Sequence, residues 1–407
     1  MSAGTVVVTG VGLVTAAGIG TEQTWRSVCS STSTARTDPA LAGAPVDISC
    51  TVPDFNPSEH VGARSTLTHD RFVQLALVAA REAVADARIV CGDYPAERVA
   101  VVVGTAFGGV STWEHQAQRM AERGPGGVSP LFVPLLLHNM AAGQIAMDLG
   151  FTGPNLVTAT ACASGATALG IALDLIRQGR CDVVVAGGTE ASVTPLTVTG
   201  FARMGALSRR LEDPASASRP FDAGRDGFVI AEGSGFLVLE RAVDARARRV
   251  GPRAIFAGYG ASADAHHMTA PDPEGRGALS ALSGALADAD VSAREVGYVN
   301  AHGTSTPLND SVEAKVVAKA IGTVVPVSSS KGVTGHTLGA AGAIEAALTV
   351  LTIDKGVIPP TANLSRQDPE IELDIVHGGT RKARVDVAVS NSFGFGGQNA
   401  VLVFTSQ

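Results

Sequence analysis

Cys162 lies in a run of small residues, TATACASGATALG, where a β-branched stretch gives way to an alanine-rich stretch predicted to be helical. A cysteine at the N-terminus of a helix has its thiolate stabilised by the helix dipole and by free backbone N–H groups, which lowers its pKa. Small neighbours also allow the sharp turn and close substrate approach of a nucleophile elbow. Because cysteine is also a common small core residue, packing alone is an equally weighted interpretation.

Two histidines follow predicted strands in the second part of the chain. His302 lies in NAHGTSTPLND, and His336 lies in KGVTGHTLGAAGA just before a predicted helix, with Lys331 upstream of it. A cysteine with two neutral imidazoles could bind zinc. The same imidazoles, donating hydrogen bonds, could instead stabilise an enolate. The spacing of these residues leaves both interpretations open.

The composition limits the classes of function. The chain has 407 residues, of which 45% are hydrophobic and 17% charged, and its net charge is −7. That length and hydrophobic content predict a large folded core. The acidic balance argues against nucleic-acid binding, which needs a basic surface. The five cysteines are odd in number and form no CxxC pair, so we expect no disulfide framework and a reducing, cytoplasmic location.

The apolar stretches predict neither a secretion signal nor a membrane span. The start, MSAGTVVVTGVGLVTAAG, has no basic residue before Arg26, and the run LFVPLLL is interrupted by Pro134. A signal peptide carries positive charge ahead of its apolar run, and a membrane helix needs about 20 apolar residues. The glycines near the start do not form GxGxxG, which argues against a nucleotide-binding oxidoreductase.

Short β-branched runs alternate with longer alanine-rich stretches, which is typical of an α/β fold with sheets covered on both faces. The pattern occurs twice. A small-residue loop with Cys162 leads into a helix in the first part, and one with Lys331 and His336 does so in the second. This weak repeat predicts two related halves, residues 1–251 and 252–407, whose loops meet at one site.

Four motifs at these loops carry a resemblance to a known family: TACASG, NAHGTSTPLND, SSSKGVTGH and NSFGFGG. In this order they resemble the elongating β-ketoacyl-acyl-carrier-protein synthases of the thiolase fold. The likeness extends through GTEASVTPL, ASRPFDAGRDGFVIAEGSG, DAHHMTAP and GVIPPTANL. The resemblance implies a thiolase-like duplicated α/β fold with five layers of alternating helices and mixed sheets, usually dimeric. It also implies an acyltransferase that forms carbon–carbon bonds.

The resemblance implies a role for each residue of the cysteine and histidine motifs. Cys162 would take an acyl chain from the acyl carrier protein as a thioester. His302 and His336 correspond to the pair that assists malonyl decarboxylation and stabilises the resulting enolate. The enolate would then attack the Cys162 thioester in a Claisen condensation, with the oxyanion held by the backbone N–H groups of Cys162 and Phe395.

Supporting roles are implied for a charged pair and for two threonines. Lys331 corresponds to the lysine that orients the second histidine, and Glu345 to its ionic partner, which a buried lysine needs. Thr304 and Thr306 correspond to hydrogen-bond partners of the phosphopantetheine arm, with ordinary turn chemistry as the alternative.

Four phenylalanines are expected at the substrate. Phe395 corresponds to a gating residue whose glycine neighbours let its loop move, and Phe107, Phe201 and Phe393 are expected to contact the acyl chain. No tightly bound cofactor and no metal are implied, since the phosphopantetheine arm arrives with the carrier protein.

Two departures from the family pattern bear on substrate and partner. Phe107 stands where many relatives have a smaller aliphatic residue, and we expect it to shorten the acyl pocket, with a repacked dimer contact as the alternative. Gly205 replaces an arginine common in fatty-acid members, and basic residues are sparse where acidic carriers dock. We therefore expect docking either at Arg203, Arg209 and Arg210 or on a partner subunit.

These departures point to a ketosynthase of a type II polyketide system, present as a homodimer or as a heterodimer with a homologous chain-length-factor subunit. The alternative is a housekeeping fatty-acid elongation synthase. A non-catalytic chain-length partner lacks the nucleophile, so the presence of Cys162, His302 and His336 argues against that role. A pure interaction scaffold would form no acyl adduct on Cys162. Gln398 also departs from the pattern, and nothing physical explains it.

Overall fold

Ten strands carry the fold, five in each half of the chain. The computed structural model describes residues 4–407. The strands of the first half are β1 (Val6–Thr15), β2 (Val99–Gly104), β3 (Asn155–Thr158), β4 (Val183–Glu190) and β5 (Gly233–Arg241). Those of the second half are β6 (Ala254–Ala263), β7 (Tyr298–Asn300), β8 (Pro326–Ser328), β9 (Val387–Gly394) and β10 (Gln398–Thr405).

The two halves repeat one strand order. The ten strands run β8-β7-β9-β10-β6-β1-β5-β4-β2-β3, so among them each half has the same sequence of neighbours counted outward from the centre. In the second half the short strand Asp374–Ile375 adds a further parallel neighbour beyond β8. In each half the outer three strands are parallel and the inner pairings are antiparallel. The halves join where β1 pairs with β6, at Val7 with Ile255 and Val8 with Ala254. This repetition confirms the predicted duplication.

Nine helices have nine residues or more in the part of the chain that the structure describes. They are α1 (Thr21–Cys29), α2 (Arg71–Asp86), α3 (Val110–Arg123), α4 (Met140–Leu149), α5 (Ser164–Arg177), α6 (Pro195–Arg203), α7 (Arg276–Asp288), α8 (Pro307–Ala320) and α9 (Ala341–Lys355). Shorter helices span Pro57–His60, Ser65–Thr68, Phe132–Leu136, Ala242–Ala247 and Lys331–Thr334. Shorter strands span Gly18–Ile19, Arg36–Thr37, Ile48–Ser49, Val357–Ile358, Asp374–Ile375 and Arg381–Lys382.

The helices and sheets alternate in five layers. Helix α2 packs on β1, β4 and β5, and α7 packs on β6 and β10. Between the two half-sheets lie α5 and α9, which contact strands of both halves and each other. The order is therefore helix, sheet, helix pair, sheet, helix, as predicted. The predicted division between residues 251 and 252 falls in the connection from β5 to β6, and the division into two units stays a prediction.

Helices α5 and α9 approach closely because small residues meet at their crossing. A Cβ added to Gly165 would lie 2.8 Å from the Cβ of Ala343, and one added to Gly342 would lie 2.8 Å from the Cβ of Ala166. Such distances are shorter than a van der Waals contact, so glycine is required at both positions. The reciprocal pairs bring the N-termini of the two central helices to one place.

No helix among residues 4–407 is both long enough and apolar enough to span a bilayer.

Candidate active site

Cys162 lies in a 3₁₀ turn, Ala161–Ala163, between β3 and the start of α5. The first residue of the turn, Ala161, has φ +48°, a left-handed conformation that costs energy for a residue with a Cβ. The hydroxyl of Ser164 ties the turn together by donating to Ala161 O at 2.6 Å and accepting from Thr160 N at 2.9 Å. The turn therefore has the sharp, strained shape expected of a nucleophile elbow.

The turn brings Cys162 to both predicted histidines. Its Sγ lies 3.2 Å from Nε2 of His336, and the rings of His302 and His336 are nearly perpendicular, with centroids 5.4 Å apart. His336 is held by backbone hydrogen bonds to Val229 and Ala231, which lie on the chain entering β5. All three side chains are buried. The two halves thus contribute one cysteine and two imidazoles to a single cluster.

Burial decides the protonation state of the cysteine. It raises the pKa of the Cys162 thiol from 9.0 to about 12, although the ammonium of Lys331 and a hydrogen bond from the backbone N–H of Phe395 both lower it. The expectation that the helix N-terminus gives Cys162 a low pKa is therefore wrong. The resting group is a thiol, and its proton must leave before the sulfur can act as a nucleophile.

Both histidines are neutral. Burial and the nearby ammonium of Lys331 hold the pKa of His302 and of His336 well below 6.5. A neutral imidazole has one N–H and one nitrogen lone pair. The nitrogen that each ring turns to the cavity can therefore either donate or accept a hydrogen bond, depending on where the ring proton is. His336 can accept the thiol proton of Cys162 at Nε2.

Lys331 is paired with His302. Its Nζ donates to His302 O at 2.5 Å, lies 3.4 Å from His302 Nδ1, and contacts the carboxylate of Glu345. The prediction that Lys331 orients the second histidine, His336, is wrong, because the contacts of Lys331 Nζ are to His302 and Glu345. Since an ammonium can only donate, His302 Nδ1 must accept, which leaves the ring proton on Nε2.

Glu345 supplies the opposite charge to Lys331 from inside helix α9. Burial raises the pKa of its carboxyl to about 7, and Lys331 acts in the opposite direction. Both side chains are almost fully buried, so each would be costly without the other. The predicted ionic pair is present.

The ligand atoms of Cys162, His302 and His336 lie within 4.8 Å of one another. Two imidazoles and a sulfur are ligands that zinc accepts. The buried ammonium of Lys331 beside His302 repels an added cation, however, and the Cys162 thiol would have to lose its proton. These two features favour hydrogen-bond donation to a substrate over metal binding.

A cavity of about 830 Å³ opens onto the cluster, and Cys162, both histidines and Phe395 line it. Thr304 and Thr306 also line it, and their hydroxyls are 2.9 Å apart. Thr306 in addition caps helix α8 by accepting from Asn309 N. The structure therefore places both threonines at the cavity while giving Thr306 the alternative role of a helix cap.

Phenylalanine rings form the apolar wall of the cavity. Phe201 lies at the centre, with ring centroids 6.2 Å from Phe107, 6.3 Å from Phe395 and 5.4 Å from Phe228. Phe393 packs edge-on against the ring of His302 at 5.9 Å. The sequence analysis missed Phe228, which also contacts His336. Its place in the strand-like run DGFVIAEGSGF gave no chemical signal.

The loop after β9 brings Phe395 to the cysteine. A Cβ added to Gly394 would lie 2.7 Å from Thr160 O and 3.1 Å from Cys162 N, so only glycine allows this approach. Gly396 and Gly397 have φ of +82° and +70°, which glycine adopts without strain. The backbone N–H of Phe395 hydrogen-bonds to Cys162.

Two buried glutamates position the site without having been predicted to do so. Glu313, in α8, accepts the backbone N–H groups of His302 and Gly303, both at 2.7 Å. Glu190, at the end of β4, accepts backbone N–H groups from loops of both halves. The sequence does show that Glu313 follows the His302 loop and that Glu190 ends an apolar strand. It does not show which backbone N–H groups these carboxyl groups accept.

The predicted docking arginines belong to a segment that also contains cavity-lining residues, among them Met204. Arg203 and Arg209 are exposed, and Arg210 donates to Gly224 O. Gly205, next to this group, lines the cavity. Docking of a carrier at these arginines stays a prediction.

Two family models together match most of this chain. The model of the β-ketoacyl synthase N-terminal domain matches residues 3–245, and that of the C-terminal domain matches residues 253–365. The chain belongs to the β-ketoacyl synthase family. This membership confirms the predicted family and the enzyme class, a carbon–carbon bond-forming acyltransferase.

Curated relatives match this β-ketoacyl synthase over nearly its whole length. A 3-oxoacyl-[acyl-carrier-protein] synthase 2 of Synechocystis sp. is 42% identical over 98% of this chain and 97% of its own. One of the same name from Staphylococcus aureus is 41% identical over the same shares of each chain.

Solved ketosynthase structures superimpose closely. A type II polyketide synthase acyl-carrier protein complex with its ketosynthase bound to the hexaketide matches with a TM-score of 0.91 and 32% identity, covering 99% of both chains. The ishigamide ketosynthase/chain length factor matches with a TM-score of 0.92 and 33% identity, also covering 99% of both. These matches confirm the predicted thiolase-like fold.

Proposed function

We propose that this β-ketoacyl synthase extends acyl chains held on an acyl carrier protein, using Cys162 as the acyl acceptor and malonyl thioesters as the extender. The observation that carries the proposal is the 3.2 Å approach of His336 Nε2 to Cys162 Sγ, with a second imidazole beside them. Relatives named as 3-oxoacyl-acyl-carrier-protein synthases support it.

Acyl transfer begins with the Cys162 proton. Because the thiol has a pKa of about 12, the sulfur becomes nucleophilic as its proton moves to Nε2 of neutral His336. The thiolate attacks the carbonyl of the incoming acyl thioester, with the oxyanion held by the N–H groups of Cys162 and Phe395. The carrier's sulfur leaves, takes the proton from His336, and departs as a free phosphopantetheine thiol.

Condensation uses both imidazoles as donors. The malonyl thioester loses its carboxylate as CO₂, and the negative charge left on its thioester oxygen accepts N–H bonds from His302 and His336. For this step the ring proton of neutral His336 must have exchanged through water from Nδ1 to Nε2, because the tautomer that accepts the thiol proton has no N–H at Nε2. Lys331 holds the proton of His302 on Nε2, which is the donor required. The enolate carbon attacks the Cys162 thioester, a C–C bond forms and the C–S bond breaks. The Cys162 thiolate then takes one proton from water, which is the proton that decarboxylative condensation consumes.

The acyl carrier protein is the proposed partner, and its phosphopantetheine arm would reach the cluster past Thr304 and Thr306. Arg203, Arg209 and Arg210 lie in the segment that contains the cavity-lining residues Met204 and Gly205, and they offer positive charge to an acidic carrier. We propose a dimer, with itself or with a homologous chain-length-factor subunit, as in solved relatives that pair a ketosynthase with its chain length factor. A reducing, cytoplasmic location suits the free thiol that the mechanism needs.

Phe107 supports a role in a type II polyketide pathway rather than in general fatty-acid elongation. Its ring lines the acyl cavity against Phe201 and takes up space that a long alkyl chain would fill. Fatty-acid elongation is the second candidate, favoured by the names of the curated relatives.

Intact-mass analysis tests the proposal. The wild-type protein is incubated with acyl carrier proteins bearing chains of increasing length, beside Cys162→Ala and Cys29→Ala. We expect one thioester adduct on the wild type and on Cys29→Ala, favouring short chains, and none on Cys162→Ala. An adduct on Cys162→Ala would contradict the assignment of the nucleophile, and preference for long chains would favour fatty-acid elongation. Native mass spectrometry of the same samples gives the subunit composition.

A further inference from the structure

Glu190 is a fully buried carboxylate that the reaction steps do not use. It ends strand β4, and both of its oxygens accept hydrogen bonds. Oε2 accepts from Ala106 N at 2.7 Å and from Gly339 N at 3.2 Å. Oε1 accepts from Phe107 N at 3.3 Å and from the Thr105 hydroxyl at 3.4 Å. One side chain thus joins a loop of the first half to a turn of the second.

The turn that Glu190 contacts is the counterpart of the turn that carries Cys162. We call Ala161–Ala163 the Cys162 turn and Leu338–Ala340 the Gly339 turn. Each is a 3₁₀ turn that leads directly into a central helix, and their first residues have φ of +48° and +47°. Cys162 and Gly339 hold the middle positions.

The carboxylate occupies the space that a side chain at position 339 would need. A Cβ added to Gly339 would lie 2.6 Å from Glu190 Oε2 and 2.4 Å from Ala106 N. A backbone N–H at the start of α9 is therefore bonded to a carboxyl group of the protein, whose pKa burial raises to about 7 although the backbone N–H groups that it accepts lower it. At the Cys162 turn, a substrate oxyanion would take the corresponding place.

Both segments held by Glu190 form walls of the acyl cavity. Phe107, on the loop, and Leu338, in the Gly339 turn, line the cavity together with Cys162. Glu190 contacts their backbones and is not among the residues that line the cavity. Its hydrogen bonds therefore set how far the Phe107 ring and the Leu338 side chain extend toward the acyl chain.

We propose that Glu190 is a positioning residue that determines acyl-chain selection by holding the Phe107 loop and the Gly339 turn at a fixed distance from Cys162. The proposal rests on the proposed function, since it concerns the chain that Cys162 accepts. Replacing the carboxylate loosens the Phe107 loop and widens the range of chains, while the imidazoles keep their places.

Glu190→Gln is the test variant, because it keeps the shape of the side chain but directs an NH₂ group at backbone N–H donors. Cys162 is alkylated with iodoacetamides whose N-alkyl groups increase in length, which measures cavity depth without a carrier protein. Acylation from carriers of matching chain length and malonyl decarboxylation are measured in parallel. We expect the ratio of long-chain to short-chain rates to rise about tenfold in both series, with decarboxylation within about twofold of wild type.

A double-mutant cycle with Phe107→Ala shows whether Glu190 acts through the Phe107 loop. The change in the long-to-short ratio should be much smaller when Glu190→Gln is made in Phe107→Ala, since the ring it positions is gone. Glu190→Asp and Thr105→Val weaken the same contacts and should change the ratio in the same direction. They provide the test if Glu190→Gln does not fold.

An unchanged ratio in variants that remain folded would overturn the proposal. So would an equal loss of rate for all lengths and for decarboxylation, which indicates only a structural role. If wild-type Cys162 reacts with the alkylating series but takes no acyl group from any carrier, the proposed function fails while the cavity measurement still decides the role of Glu190.

Discussion

The Cys162 turn and the Gly339 turn have one backbone shape and opposite uses. Both are 3₁₀ turns with a left-handed first residue, and both lead into central helices that cross at reciprocal glycine–alanine contacts. At the Gly339 turn the side chain of Glu190 accepts a backbone N–H at the start of the helix. At the Cys162 turn the start of the helix faces the cavity instead.

The difference shows how a duplicated fold makes a single active site. Two equivalent turns could each carry a nucleophile, but a glycine and Glu190 exclude one from the second half. That half instead supplies His302, His336 and the Lys331–Glu345 pair. The backbone geometry is shared by both turns, so their side chains distinguish the turn proposed to be catalytic from the other one.

Cys162→Gly makes the Cys162 turn resemble its counterpart and should have the largest effect. Without a sulfur, no acyl-enzyme forms, and we expect condensation to fall about 10⁴-fold or more. The thermal unfolding temperature should change little, because glycine can adopt the backbone conformation of the turn. Intact mass, condensation assays and thermal unfolding measure these effects. Retained condensation would show that the acyl chain is held elsewhere.

The reciprocal change, Gly339→Cys, is the matched control. Its side chain would collide with Glu190 and Ala106, so we expect lower stability and no acyl adduct at position 339. Peptide mapping locates any adduct. An acylated Cys at position 339 would show that the turn geometry alone is sufficient for a nucleophile.

Lys331→Met should have the next largest effect, because it leaves Glu345 buried without its partner. Removing one member of a buried ion pair costs about 3–5 kcal/mol, so unfolding in denaturant should occur at a lower concentration. His302 also loses the group that keeps its proton on Nε2. We therefore expect malonyl decarboxylation to fall as well.

The double variant Lys331→Met with Glu345→Gln separates these two effects. It should recover most of the stability while decarboxylation stays low. Full recovery of decarboxylation would show that Lys331 acts only as a counter-ion.

Alkylation of Cys162 by iodoacetamide should depend on pH as a buried thiol does. With a pKa of about 12, the rate should rise about tenfold per pH unit from pH 7 to 10. Because folding raises the pKa of this thiol, the thiol form adds to the free energy of unfolding below pH 9, and that contribution is lost as the pH rises toward 12. The exposed Cys91 serves as an internal reference in peptide mapping. A rate that levels off near pH 7 would mean that the helix N-terminus outweighs burial.

Phe107→Ala should have the smallest effect, limited to chain length. Removing the ring opens space beside Phe201, so acylation with longer chains should rise about threefold to tenfold while short chains change little. The rate of Cys162 acylation by carrier proteins bearing chains of increasing length measures this effect. No change with length would favour a dimer-contact role for Phe107.

Much of this protein could be predicted from its sequence. The alternation of β-branched and alanine-rich runs determines an α/β fold, because strand and helix periods differ along the chain. The repeated small-residue loops indicate the duplication, and the motifs around Cys162, His302 and His336 identify the family. These features are local, and each is carried by a short run of residues.

Only the tertiary structure decided which groups act on one another. His336 meets Cys162 across 174 residues of sequence, and Gly339 meets Glu190 across 149. Lys331 lies with His302 although it is closer in sequence to His336, and burial leaves Cys162 a thiol although it starts a helix. Burial, charge pairing and the space left for a side chain depend on atoms from distant segments, so they arise only when the two halves pack together.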